Sequence, residues 1–135
     1  MRILACLIDD NKVFHIITKR LLQNFPDKIR DIVQFENGKE ALDYFIEHQD
    51  DSELLPDLVF LDVNMPIMDG WKFLERVKDV VFSKHIVFHI CTTSVCPEDT
   101  ERAKDYEMVD RYIIKPIKMD QLEIILEEYI NMQVG

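Results

Sequence analysis

The chain has 135 residues, 47% of them hydrophobic with only 3 Gly and 5 Pro, the size and make-up of one ordinary domain around one core. Lys and Arg number 16 against 26 Asp and Glu, a formal charge of -10 that argues against a nucleic-acid or anionic-membrane surface and leaves negative charge to gather where a cation binds. No apolar run approaches the roughly 20 residues that span a bilayer, and Met1-Arg2-Ile3 lacks the apolar stretch and cleavage site of a signal peptide, so the expectation is a cytoplasmic protein without a membrane partner.

Arg2 to Ile8 is a continuous apolar segment, the mark of a strand buried on both faces, and it stops at two adjacent acids, Asp9 and Asp10. From Asn11 to Phe25 the residues Phe14, Ile17, Leu21 and Phe25 recur at helical spacing, with Asn11 as cap and Pro26 as stop. Ile32, Val33 and Phe35 form a brief second strand. Gly38 lies just before a helix that turns Ala41, Leu42, Phe45 and Ile46 inward and Lys39, Glu40, Asp43 and Glu47 to water.

After an acidic loop, Gln49 to Pro56, the third strand runs from Asp57 to Leu61 and ends abruptly at Asp62. Pro66 and Gly70 forbid its continuation, and Trp71, Leu74, Val77 and Val81 mark a third helix. Ile86 to Cys91 is a fourth strand closed by Thr92-Thr93-Ser94. Pro97-Glu98-Asp99 has the Pro and early acids of a helix first turn, and this polar helix runs to about Tyr106. Tyr112 to Ile114 is the fifth strand, followed at once by Lys115-Pro116. Leu122, Ile125, Leu126, Tyr129 and Ile130 give a last amphipathic helix ending near Met132.

Five strands alternating with five helices predict a (βα)5 doubly wound parallel sheet, a single domain over 1–135 with a core of about 2–132. With strand order 2-1-3-4-5, strands one and three flank the switch point where ligands bind beyond the carboxyl ends. Asp9, Asp10 and Asp62 then meet in one crevice.

Taken singly, these residues have plainer uses: Asp62 can cap a turn, and Asp9 or Asp10 can cap the first helix. Three converging carboxylates repel one another unless a hard cation sits among them, and Mg²⁺ fits because it takes a few oxygens and keeps several waters. Lys115 at the end of strand five brings a positive charge to the same edge. Thr92 offers a hydroxyl there, with Thr93 and Ser94 as competitors. Such a set is suited to a phosphoryl group, whose transfer depends on positioning and charge neutralisation, with Asp62 as nucleophile. The three cysteines, Cys6, Cys91 and Cys96, form no Cys-x-x-Cys pair and read as free thiols. The four histidines lack ligand spacing and are assigned no chemistry. No glycine-rich loop supports nucleotide binding.

Over nearly its full length the chain resembles a response-regulator receiver domain. The resemblance rests on Ile8-Asp9-Asp10-Asn11, on Leu61-Asp62-Val63-Asn64-Met65-Pro66 with Met68-Asp69-Gly70, on Thr92, and on Tyr112-Ile113-Ile114-Lys115-Pro116. It implies phosphotransfer to Asp62 from the phosphohistidine of a sensor histidine kinase or a histidine phosphotransfer protein. Mg²⁺ would be held by Asp9 or Asp10, by Asp62 and by the main-chain carbonyl of Asn64. Lys115 would contact the phosphoryl group, Thr92 would move to bond it, and Tyr112 would act as the rotamer switch, the alternative being an ordinary half-buried strand aromatic. Pro116 matches the family's cis-proline. The segment Tyr106 to Val109 departs from the family in lacking a Gly before strand five, and Thr93 stands where a smaller residue is common. No DNA-binding domain is expected after the last helix, so output to an unidentified target would pass through helix four, strand five and helix five, without enzymatic turnover.

Two rival readings use the same fold. A haloacid-dehalogenase-type phosphohydrolase also has an Asp nucleophile but wants a second Asp two residues on, where this chain has Asn64. A flavodoxin-type module needs a Ser/Thr/Gly-rich loop after strand one, where this chain has Asp10-Asn11-Lys12.

Overall fold

The structure is a computed structural model and describes residues 2–134. In chain order the elements are β1 (Ile3–Ile8), α1 (Lys12–Leu22), β2 (Ile29–Phe35), α2 (Gly38–Glu47) and β3 (Leu58–Leu61), then α3 (Gly70–Val77), β4 (Val87–Thr92), α4 (Pro97–Ala103), β5 (Val109–Ile114) and α5 (Met119–Val134). The strands form one parallel sheet in the order β2-β1-β3-β4-β5, as the alternating pattern predicts. Every residue of β1, β3 and β4 is buried, which is why β1 and β3 read as unbroken apolar runs and β4 as an apolar run interrupted by His89 and closed by Thr92.

Successive side chains point to opposite faces of the sheet and sort the core in two. Cys6, Ile8, Val59, Leu61, Phe88 and Ile90 pack with α2, α3 and α4, where Phe45 and Phe73 meet edge to face at 5.4 Å. Ala5, Leu7, Phe60, Val87 and Cys91 pack with α1 and α5 through Phe14, Leu22, Leu122, Leu126 and Tyr129. At the amino ends of the strands, the Asp57 carboxylate accepts from Leu4 N at 2.8 Å and from Lys84 Nζ at 2.9 Å, tying β1 to the segments entering β3 and β4.

The helix starts follow the cap residues. Asn11 accepts from Val13 N and Phe14 N, Asn37 from Glu40 N and Asp69 from Lys72 N, so the first turns of α1, α2 and α3 are each closed by an Asn or Asp. Several expectations need correction. α1 ends at Leu22, before Pro26, and its buried face is Phe14, His15, Thr18 and Leu22, while Ile17 is exposed. Asn24 donates to the Arg20 and Leu21 carbonyls, satisfying that end early. Ile46 is also exposed, and Val81 lies beyond α3 facing water. β5 begins at Val109 and β2 at Ile29, since edge strands carry polar residues that hide them from an apolar-run reading. Among the described residues no helix is long and apolar enough to cross a membrane.

Candidate functional site

Strand register builds the site. Ile8 pairs with Leu61 and Leu61 with Ile90, so the residues one step beyond β1 and β3, Asp9 and Asp62, lie side by side at the carboxyl edge. Asp62 N donates to Ile8 O at 2.9 Å and fixes that step. Farther along the edge, Thr92 pairs with Ile114, and Lys115 N donates to Thr92 O at 2.9 Å, so Lys115 leaves β5 level with the end of β4. The Lys115-Pro116 peptide is cis.

The three acids expected to converge do so: carboxylate oxygens of Asp9, Asp10 and Asp62 lie within 4.8 Å of one another. Asp9 and Asp62 are buried and Asp10 is exposed. Lys115 Nζ sits 2.5 Å from Asp9 Oδ2 and 3.2 Å from Asp62 Oδ2, and 4.6 Å from the centre of the Phe14 ring. The remaining oxygens are held by backbone: Asp9 Oδ1 accepts from Asn11 N at 2.8 Å and Asp62 Oδ1 from Asn64 N at 3.2 Å. Neither carboxylate is the helix cap, which is Asn11; the capping alternative for Asp9 and Asp10 is therefore excluded.

Charge is unbalanced here. Burial pushes the Asp9 carboxyl above the usual range, and Asp62 adds repulsion that Lys115 and the Asn11 amide only partly offset. Burial alone would lower Lys115, but its hydrogen bond to Asp9 and the Asp62 charge outweigh that and hold the ammonium above the ordinary lysine value. The Lys115 shift is the one an ion pair produces, whereas at Asp9 burial overrides the lowering that the same ammonium exerts. Three carboxylates against one ammonium leave a formal excess of two negative charges, and every donor in the cluster is a hard oxygen. Such a set fits a divalent cation of the Mg²⁺ or Ca²⁺ kind and not one that prefers thiolate or imidazole.

The hydroxyl expected on the rim is present. Thr92 is buried, and its Oγ1 accepts from Ser94 N at 3.3 Å. Ser94 Oγ is engaged elsewhere, donating to Asp99 Oδ2 at 2.6 Å, and Thr93 is exposed. Tyr112 is half-buried, and its hydroxyl donates to Ser94 O at 3.0 Å, linking β5 to the loop after Thr92.

Three contributors were not legible. His15 Nε2 meets Asp9 O at 2.6 Å and anchors the backbone of that acid; no sequence spacing signals this. Phe14 lies beneath the Lys115 ammonium, although its helical spacing marks it only as core. Gly70 reads as a turn residue, yet a Cβ there would stand 2.4 Å from Asp62 O and 2.8 Å from Val63 Cα, so the first turn of α3 presses against the backbone of Asp62 itself. Between them, Met68 N donates to Pro66 O at 2.7 Å around Ile67 at φ 67°, a γ-turn of the rare positive-φ kind.

A parallel sheet with an acidic crevice at its switch point, a lysine and a threonine defines a module built to handle a phosphoryl group beside a cation. The family described as response regulator receiver domain matches residues 5–127, and the chain belongs to that family, the receiver domains of two-component signalling. It is 31% identical to the probable methanogenesis regulatory protein FilR2 of Methanothrix harundinacea, covering 96% of this chain and 82% of that protein. With the chemotaxis protein CheY of Halobacterium salinarum it shares 30% identity over 89% of this chain and 93% of that one. Its fold matches, with a TM-score of 0.78 at 18% identity, the receiver domain of the sensor histidine kinase PA1611 from Pseudomonas aeruginosa, solved with magnesium in its active-site cleft; the match covers 97% of this chain and 99% of that one. Other relatives are longer: the chain spans 28% to 37% of the protein-glutamate methylesterases it matches. The family match gives the phosphohydrolase reading no support.

Proposed function

We propose that the chain acts as one receiver unit in which Asp62 accepts a phosphoryl group from the phosphohistidine of a sensor histidine kinase or a histidine phosphotransfer protein. The observation that carries this is the setting of Asp62, buried at the end of β3 with one oxygen on a backbone amide and the other 3.2 Å from Lys115 Nζ. An Asp62 oxygen attacks phosphorus, the new O–P bond forms as the N–P bond breaks, and the imidazole keeps the electron pair. Lys115 holds Asp62 in place beforehand and takes its charge contact to the new group afterwards.

Asp9, Asp10, Asp62 and the Asn64 main-chain carbonyl are the residues that would hold Mg²⁺. Bound there, the cation would offset the charge of an incoming phosphoryl group. The magnesium in the PA1611 receiver domain supports this reading.

Thr92, released from Ser94 N, would donate to the phosphoryl oxygens, and Tyr112, released from Ser94 O, would turn into the space behind it. Both contacts end on Ser94, so one loop would register both movements. The surface of α4, β5 and α5 is the proposed output to a target protein, with no enzymatic turnover beyond transfer and loss of the phosphoryl group.

Incubation with acetyl phosphate and Mg²⁺ tests the reading. One phosphoryl group should be added per chain, should be lost in hydroxylamine as an acyl phosphate is, and should fail to form under EDTA. A hydroxylamine-stable product would defeat it.

A further inference from the structure

Asp9 is fixed at all four of its polar atoms, and one of the four contacts comes from a side chain that the phosphoacceptor chemistry does not use. Asp9 N donates to Phe35 O at 3.0 Å, Oδ1 accepts from Asn11 N at 2.8 Å, and Oδ2 lies 2.5 Å from Lys115 Nζ. The β1 pairing stops at Ile8, and among the described residues no main-chain amide reaches the Asp9 carbonyl. His15 fills that place. Its Nε2 stands 2.6 Å from Asp9 O, and because a carbonyl can only accept, this nitrogen carries the proton.

The arrangement is costly. His15 is 6% exposed on the buried face of α1, with Phe14, Thr18 and Leu22, and its Nδ1 has no hydrogen-bond partner. An apolar side chain would fill this face without leaving a buried nitrogen unpaired, so packing does not account for a histidine here. The bond to Asp9 does. The carbonyl it holds belongs to the planar peptide that joins Asp9 to Asp10, and the setting of that plane decides how both side chains leave the backbone. Asp9 has Asn11 N and Lys115 to hold its carboxylate, whereas the exposed Asp10 is aimed chiefly by its backbone.

We infer that His15 is a positioning residue for cation binding: by fixing the peptide between Asp9 and Asp10 it aims their carboxylates at a common point with that of Asp62, where the oxygens lie within 4.8 Å of one another. This rests on the reading of these acids as the residues that hold Mg²⁺. His15 itself touches neither the cation nor the phosphoryl group.

The test compares three variants. His15→Leu fills the space and cannot donate, His15→Gln carries an amide nitrogen as far from the backbone as the imidazole Nε2, and the amide of His15→Asn falls one bond short. Mg²⁺ is titrated into each ¹⁵N-labelled protein and followed at the Asn11 and Asn64 amides, so affinity is read on the folded chain and a change in global stability alone leaves it unmoved. His15→Leu and His15→Asn should bind Mg²⁺ about tenfold more weakly, the usual scale for losing a group that orients a metal ligand, and His15→Gln should stay within about threefold of wild type. If His15→Leu does not fold, the contrast between Gln and Asn carries the test. Affinities of His15→Leu and His15→Asn within about twofold of wild type, or a Gln variant as weak as the Asn variant, would overturn the inference and leave the metal site standing. A wild type without a Mg²⁺ response, or an Asp10→Ala variant that binds as tightly as wild type, would overturn the metal reading itself and this inference with it.

Discussion

Replacing His89 with Leu should change how stability depends on pH, and the size of the effect follows from burial. The imidazole falls from an ordinary value of 6.5 to about 4 in the folded chain, with burial as the main cause. Between these values the unfolded chain binds a proton that the folded chain does not, so stability is fully present above about pH 6.5 and is lost as pH falls toward about 4. At 1.36 kcal/mol per unit, the loss amounts to about 3 kcal/mol. The assay is urea unfolding of wild type and His89→Leu in EDTA across pH 4 to 7.5, read as the difference between the two proteins. Asp9, raised by burial, acts in the opposite sense, since the folded state keeps its proton longer, but it is common to both chains and cancels. Leu should also remove an orphaned nitrogen, so the variant should be at least as stable as wild type at pH 7. Parallel pH profiles for the two proteins would refute the reasoning.

Gly70→Ala should destabilise the chain by about 2–4 kcal/mol in urea unfolding, because the new Cβ meets the backbone of Asp62 and Val63, which cannot yield as a side chain does; it should also slow phosphorylation of Asp62. Ile67→Asn should stabilise by about 1 kcal/mol, since Ile67 holds φ 67° with its side chain exposed and Asn tolerates that conformation better; unchanged or lower stability would contradict a strained turn. Lys115→Ala should lower the stability of the metal-free protein but enlarge the rise in melting temperature that Mg²⁺ produces, because three carboxylates then face no ammonium; a smaller Mg²⁺ effect would place Lys115 among the groups that help metal binding.

The parts of the fold that were legible in the sequence are those where burial is complete. β1, β3 and β4 are buried at every position, and short, largely apolar runs set between helical patterns mark them as strands. The acids that end β1 and β3 could be placed together because strand order and register decide which residues share an edge. What escaped depends on tertiary neighbours. Helical spacing puts Ile17 and Phe14 on one stripe, yet α1 is rotated so that His15 and Thr18 face the sheet, and His15 reaches the Asp9 carbonyl. The edge strands β2 and β5 are mostly half-buried or exposed, and their starts at Ile29 and Val109 are set by pairing with β1 and β4. The role of Gly70 is a close backbone approach, invisible until α3 is placed.

The central claim is that Asp62, and neither of its acidic neighbours, receives the phosphoryl group. Asp9 lies close by, is buried as well and is held in the same way, with Oδ1 on Asn11 N and Oδ2 2.5 Å from Lys115 Nζ, so the position of the label decides between the two. Borohydride reduction of the freshly phosphorylated protein converts an aspartyl phosphate to homoserine, which peptide sequencing or mass spectrometry then locates. The account predicts homoserine at position 62 in wild type and none anywhere in Asp62→Asn. Homoserine at position 9 or 10, or an equal yield from Asp62→Asn, would contradict it.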